Sequence, residues 1–174
     1  DLARRRTPRR FGAERPVNVV VEPSEAQCLL VSARVGDGQP HDYGGDLDTI
    51  MAGLACGEPS PLAWDVLWDC VDAFVACPDY VAAKGMRVYA VPLAGDPFVV
   101  SGESGAVTLG ALMYIAEHPE YAELKDYLGL DSDSQVLLIN SEGNTDPDYF
   151  RRVVWEGANS VPAEHQWAPA MADS

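Results

Sequence analysis

The chain has 174 residues, 47% of them hydrophobic and 22% charged, with a formal net charge of −15. That length and composition describe one globular unit with an ordinary core. The acidic balance argues against nucleic acid or anionic membrane as a partner, and no apolar run approaches a membrane span.

Charge is uneven along the chain. Residues 1–15 carry six arginines against Asp1 and Glu14, while the remainder is strongly acidic. Residues 1–16 are therefore expected to be the arginine-rich end of a preceding helix and its loop. The first residue is Asp1, so the chain is expected to be a processed product or a piece of a longer protein.

Val17 to Val21 reads as a short buried strand, being β-branched except for Asn18. Ser24 is the expected N-cap of a following helix with Ala26, Leu29, Leu30 and Ala33 on one face. Gly36 to Gly45 is rich in turn residues. Asp46 and Asp48, expected as turn and cap residues, lead into Ile50–Gly57, expected as a small-residue helix closed by glycine. Pro59-Ser60-Pro61 opens a helix running to Cys70.

Asp72 to Ala76 is a second expected strand and Pro78 to Tyr89 a helix. Phe98 to Val100 reads as a strand ending at Ser101-Gly102-Glu103-Ser104-Gly105-Ala106, and Ala106 to His118 as a buried helix. Pro119 to Tyr127 is a more polar helix ending at Gly129. Gln135 to Asn140 is the last expected strand, and Pro147 to Trp155 the last helix, opened by Asp146 as cap. Residues 158–174 are expected to be a loose tail. Strands alternating with helices predict an α/β fold, a layered and mostly parallel sheet with flanking helices.

Two strand-to-helix corners, 101–106 and 140–147, each carry serine, glutamate and glycine. Glycines at 102 and 105 are expected to supply the freedom in φ for a sharp turn. One ligand site at the carboxyl edge of the sheet is the natural expectation. Simple helix capping is the plainer reading of each corner. A nucleophile elbow is a further alternative: Gly102-Glu103-Ser104-Gly105-Ala106 approaches G-x-S-x-G, with Asp146 and His165 following in order. Ala106 replaces its last glycine, however, and no HGGG-type segment occurs. On residue type alone Met51 and the four tryptophans read as packing residues.

Cys28, Cys56, Cys70 and Cys77 have no C-x-x-C spacing and the three histidines lie far apart, so no metal site is expected. Free thiols fit a reducing cytoplasm. If any pair is bridged, Cys28 with Cys56 is the choice.

Together these segments resemble the fold-type II, tryptophan-synthase-β-like group of pyridoxal-phosphate enzymes. Ser141-Glu142-Gly143-Asn144-Thr145-Asp146 is similar to that group's serine–glycine–glycine–asparagine–x–aspartate corner, and the Glu103–Gly105 corner to its glutamate-bearing corner. Within the group, residues 44–59, Gly85-Met86-Arg87, residues 101–106 and Arg151–Gly157 look most like the diaminopropionate ammonia-lyase family. The resemblance runs from about Val17 to Gly157. It departs at Ser141, where that family has threonine.

The resemblance implies that Ser141 meets the cofactor's pyridine nitrogen, that Glu103 lies near its ring, and that Thr49, Met51, Ala52 and Gly53 belong to an active-site loop. It implies α,β-elimination of a small amino acid, 2,3-diaminopropionate, to pyruvate and ammonia, in a cytoplasmic homodimer. A neutral hydroxyl opposite the pyridine nitrogen favours elimination. The family's cofactor lysine and glycine-rich phosphate cradle precede this stretch, and neither Lys84 nor Lys125 has matching surroundings. The chain is thus expected to be the C-terminal portion of such an enzyme, an incomplete fold, inactive alone. A non-catalytic α/β ligand-binding module is the alternative.

Overall fold

The structure, a computed structural model, describes residues 15–166. Eight longer elements follow in order: β1 (Val19–Pro23), α1 (Cys28–Val35), α2 (Pro61–Cys70), β2 (Ala73–Cys77), α3 (Asp79–Ala90), α4 (Glu103–Glu117), α5 (Ala122–Leu128) and α6 (Pro147–Val154). The arginine-rich stretch lies, apart from Arg15 and Pro16, outside the described residues. No helix among the described residues is long and apolar enough to cross a membrane.

β1 and β2 form a two-stranded parallel sheet with Val19 opposite Ala73 and Pro23 opposite Cys77. Pairing starts two residues later than the sequence predicts because Asp72 engages the approach to β1. Its carboxylate accepts two bonds from the Arg15 guanidinium (2.5 and 2.6 Å) and one from the Asn18 N–H (2.8 Å). A forked pair of this kind fixes direction as well as distance.

Ser24 does not cap the next helix. Instead the buried Glu22 carboxylate, at the end of β1, accepts from the N–H groups of Leu29 (2.9 Å) and Leu30 (2.8 Å). Burial raises the Glu22 pKa, and these two N–H groups oppose the rise. α2 begins as the sequence predicts, with Ser60 as cap accepting from Ala63 and proline at the first position. Its Trp64 is fully buried and donates Nε1–H to the Gly38 carbonyl at 3.0 Å. α5 ends at Gly129, whose φ of 65° places it in the left-handed region that glycine tolerates.

α3 and α4 make the centre of the molecule. A Cβ at Gly85 would lie 2.1 Å from the Ala106 carbonyl oxygen, and one at Gly110 would lie 2.1 Å from that of Val81. Only glycine allows backbones this close. Met51, Cys77, Val81, Ala82, Val107, Ala111 and Tyr114 fill one core cluster, and Ala83, Met86, Ala106 and Val153 fill a second.

The helix expected over 50–57 is absent apart from a short 3-10 turn at Ala52–Leu54. Side chains take the N–H groups a helix would have used: Thr49 Oγ1 accepts from Met51 at 3.2 Å and Ser104 Oγ accepts from Gly53 at 3.1 Å. The strands expected at Phe98–Val100 and Gln135–Asn140 do not form among the described residues; the Val99 N–H donates instead to the Tyr89 carbonyl at 3.1 Å. Ala158 and Asn159, at the start of the tail expected to be loose, are held by Arg87, which donates to the carbonyls of Val153 (3.0 Å), Asn159 (3.4 Å) and Ala158. Residues 167–174 of that tail lie outside the described residues.

Candidate active site

The two corners meet. The Gly102 N–H donates to the Glu142 carbonyl at 3.0 Å, and the Ser104 N–H donates to the Glu142 carboxylate at 2.7 Å. Asn140 adds a second link: its Nδ2 donates to the Val100 carbonyl (3.1 Å), and its Oδ1 accepts from Ser101 Oγ (2.9 Å). These bonds satisfy the start of α4 from a segment about forty residues away. With Glu142 supplying that acceptor, α4 begins at Glu103, three residues before its expected start.

The corner glycines serve closeness rather than an unusual φ. Gly102 has a φ of −77°, and neither it nor Gly105 is among the positive-φ glycines. A Cβ at Gly105 would lie 2.2 Å from Asn140 Oδ1, and one at Gly102 would lie 2.6 Å from the Glu142 carboxyl carbon.

Loop 49–53 joins the same place from a third direction. Thr49 Oγ1 donates to Asp79 Oδ1 at 2.5 Å, and the Ile50 N–H donates to Asp79 Oδ2 at 3.2 Å. Asp79 is the first residue of α3, where a carboxylate complements the helix dipole. Met51 is fully buried, which fits its packing role, while Ala52 and Gly53 run over the start of α4. Just upstream, Leu47 has a φ of 57°, a strained conformation for a bulky side chain.

Glu103 is buried at the first position of α4. Burial raises its pKa, its own backbone N–H opposes the rise, and the charges of Glu142 and Asp146 add to it. Ser141 is exposed, and its hydroxyl has no hydrogen-bond partner among the described residues. The remaining expected residues behave as the helix-start chemistry dictates: Asp146 accepts from the Tyr149 N–H at 3.0 Å and caps α6.

The hydrolase set is not assembled. Ser104 Oγ receives the Gly53 N–H, Asp146 caps α6, and His165 stacks on Tyr80 and pairs with Glu120. All four cysteines are free, so Cys28 and Cys56 are not bridged, and burial pushes the Cys28 thiol up to about 12. No metal-holding group of His, Cys, Asp or Glu occurs among the described residues. Neither lysine touches the corners: Lys84 pairs with Glu117 and lies over the Tyr114 ring, and Lys125 donates to the Ala116 carbonyl.

An open cleft of about 370 Å³ lies at the carboxyl ends of β1 and β2, lined by Ser24, Glu25, Pro78, Asp79, Tyr80 and Asn159 among others. It shares Asp79 with loop 49–53 but reaches neither Glu103 nor Ser141. Geometry favours the corners over this cleft as the site, because three separate segments converge there through side-chain-to-backbone bonds.

Sequence reasoning missed Asp79 and, although it placed Asn140 and Glu142 in a corner, missed that they bond residues 100–104. A cap supplied by a neighbouring residue has a local signature; one supplied from another segment has none. An asparagine directly after an apolar run was the only available hint.

No protein-family model matches the chain. Diaminopropionate ammonia-lyase of Escherichia coli (strain K12) is 49% identical over 144 residues, which is 83% of this chain and 36% of that protein. The crystal structure of the Escherichia coli enzyme with an aminoacrylate-PLP azomethine reaction intermediate matches with a TM-score of 0.74 and 46% identity, over 83% of this chain and 36% of that one. Its complex with D-serine matches with a TM-score of 0.75 and 45% identity, over 84% and 35%. Shared sequence and shared backbone thus agree: the chain is similar to a portion of diaminopropionate ammonia-lyase and spans 36% of that relative's length.

Proposed function

We propose that this chain forms the ring-facing portion of a lyase that eliminates ammonia from 2,3-diaminopropionate to give pyruvate and ammonia, and that alone it is inactive. The observation that carries the reading is the convergence of both corners and loop 49–53 at the start of α4. The unpartnered Ser141 hydroxyl on one corner and the buried Glu103 carboxyl on the other are chemically suited to pyridoxal phosphate. A neutral hydroxyl matches a pyridine nitrogen as a hydrogen-bond partner, and the start of α4 holds the Glu103 carboxyl at a fixed, buried position.

When bound, pyridoxal phosphate supplies the electron sink that acidifies the substrate's Cα–H and lets the β-amino group depart. Ser141 Oγ would hold the ring nitrogen through a neutral hydrogen bond, and Glu103 would orient the ring edge. Loop 49–53, fastened by Asp79 and Ser104 and anchored in the core by Met51, would close one side. The lysine and phosphate contacts belong to polypeptide other than the described corners, since Lys84 and Lys125 are engaged elsewhere. Homodimer assembly is part of the same proposal.

The test is pyruvate release from 2,3-diaminopropionate by two proteins. One is this chain alone; the other is the Escherichia coli enzyme with its matching residues replaced by this chain's. The proposal expects no pyruvate from the first and turnover from the second. Turnover by the chain alone, or a folded and cofactor-loaded hybrid without turnover, overturns it.

A further inference from the structure

Segment 43–57 is a loop with a closed neck: the Tyr43 N–H donates to the Gly57 carbonyl at 2.7 Å. Compact loops whose ends meet are frequently functional. Between those ends Asp79 accepts from Thr49 and Ile50, Met51 is fully buried in the core, and Ser104 Oγ accepts from the Gly53 N–H at 3.1 Å. The last of these holds the loop to the corner at the start of α4.

Backbone and side chain of Ser104 do different work. Its backbone N–H donates to the Glu142 carboxylate, a bond that any residue except proline could make. Its hydroxyl, on a residue only 6% exposed, bonds loop backbone 51 residues away in sequence. A hydroxyl within a helix commonly bonds that helix's own backbone, as Thr108 does through the Gly105 carbonyl at 3.1 Å. Ser104 Oγ serves the loop instead. A Cβ at position 53 would lie 3.0 Å from that oxygen, so a glycine there suits the contact. Alanine at 104 would lose the loop bond and keep the bond to Glu142.

We propose that Ser104 is a positioning residue: its hydroxyl fastens loop 49–53 to the corner that Glu142 joins, and so sets where the loop lies against the site. The inference rests on the proposed function, in which the corners and the loop surround one ligand. Losing the hydroxyl frees the loop at Gly53, while Asp79 still holds Thr49 and Glu142 still joins the corners. The wall that the loop forms is then loose on one side. Substrate is held less well, in the ground state and at the transition state alike.

Amide exchange on this chain and steady-state kinetics of the hybrid described above test it, each with Ser104→Ala. In the chain the Gly53 amide is expected to exchange about tenfold faster or more, while the Gly102 amide keeps its rate. In the hybrid, KM for 2,3-diaminopropionate is expected to rise about threefold or more with kcat changed by less than about twofold, the mark of binding lost equally from both states. Thr49→Val, which cuts the bond to Asp79, is expected to raise KM in the same direction. An unchanged Gly53 rate, or equal acceleration at Gly102, overturns the proposal. So does an unchanged KM in Ser104→Ala, whatever Thr49→Val shows. Loss of the fold in Ser104→Ala overturns it too, since the hydroxyl would then hold the core and not the loop. A folded, cofactor-loaded wild-type hybrid without pyruvate release removes the lyase reading, while a Gly53 rate that still rises in Ser104→Ala keeps the fastening.

Discussion

The Glu142 carboxylate accepts the Ser104 N–H at 2.7 Å, so one corner caps the helix that the other begins. Through this bond, residues 38 apart in sequence become a single structural unit. Removing it in Glu142→Ala is expected to lower stability by about 1 kcal/mol, the usual size of a lost helix cap. Glu142→Gln keeps an oxygen acceptor and is expected to lose less. Urea denaturation of both variants checks the order; equal losses would show that the cap is not what Glu142 contributes.

The approach of α3 to α4 gives a sharper expectation. Gly85→Ala places a Cβ 2.1 Å from a backbone oxygen, which only movement of one helix can relieve. A cost of about 1–3 kcal/mol is expected for such overpacking. Gly129→Ala meets nothing within 4 Å but must hold a φ of 65°, so its cost is expected nearer 1 kcal/mol. Thermal or urea unfolding of the two variants measures the difference.

Glu103 ties the site to pH. Its folded pKa is raised above 4.5 by burial, with Glu142 and Asp146 adding to the rise. The folded state therefore binds more protons than the unfolded chain in the window that starts near 4.5. Glu103 contributes stability fully below that value, and the contribution is lost as pH rises through the folded pKa. Glu22, raised by its own burial, acts in the same direction. Glu103→Gln is expected to flatten the fall in stability across this window. A difference curve between wild type and variant that stays level with pH would contradict it.

Arg87 holds three carbonyls with one guanidinium, and its burial lowers its pKa. A lysine ammonium cannot reproduce that fork. Arg87→Lys is expected to cost about 1–3 kcal/mol, in the range for buried hydrogen bonds to a charged group. It is also expected to speed amide exchange at 158–161 more than elsewhere. Uniform exchange changes across the chain would count against this anchoring role.

Local chemistry was legible in the sequence wherever one residue acts on its near neighbours. Ser60 before Pro61, Asp146 before Pro147 and Gly129 after α5 all mark helix ends as read. The likeness to diaminopropionate ammonia-lyase was legible because the residues of each corner sit close together in sequence. Contacts that reach across the molecule were not. Glu22 displaced Ser24 as a cap, Thr49 and Ser104 dismantled the helix expected over 50–57, and the corner glycines proved to serve close approach. The apolar runs at 98–100 and 135–140 show strand propensity without strand pairing, because pairing depends on a neighbour that propensity does not supply.

Cofactor affinity and absorption in the hybrid enzyme, compared among wild type, Ser141→Ala and Glu103→Gln, test most directly that both corners face one ring. The account expects each substitution to weaken pyridoxal-phosphate binding by about tenfold or more, roughly 1.4 kcal/mol, and to shift the visible band of the bound cofactor. Two variants that bind the cofactor with unchanged affinity and an unchanged band would contradict it.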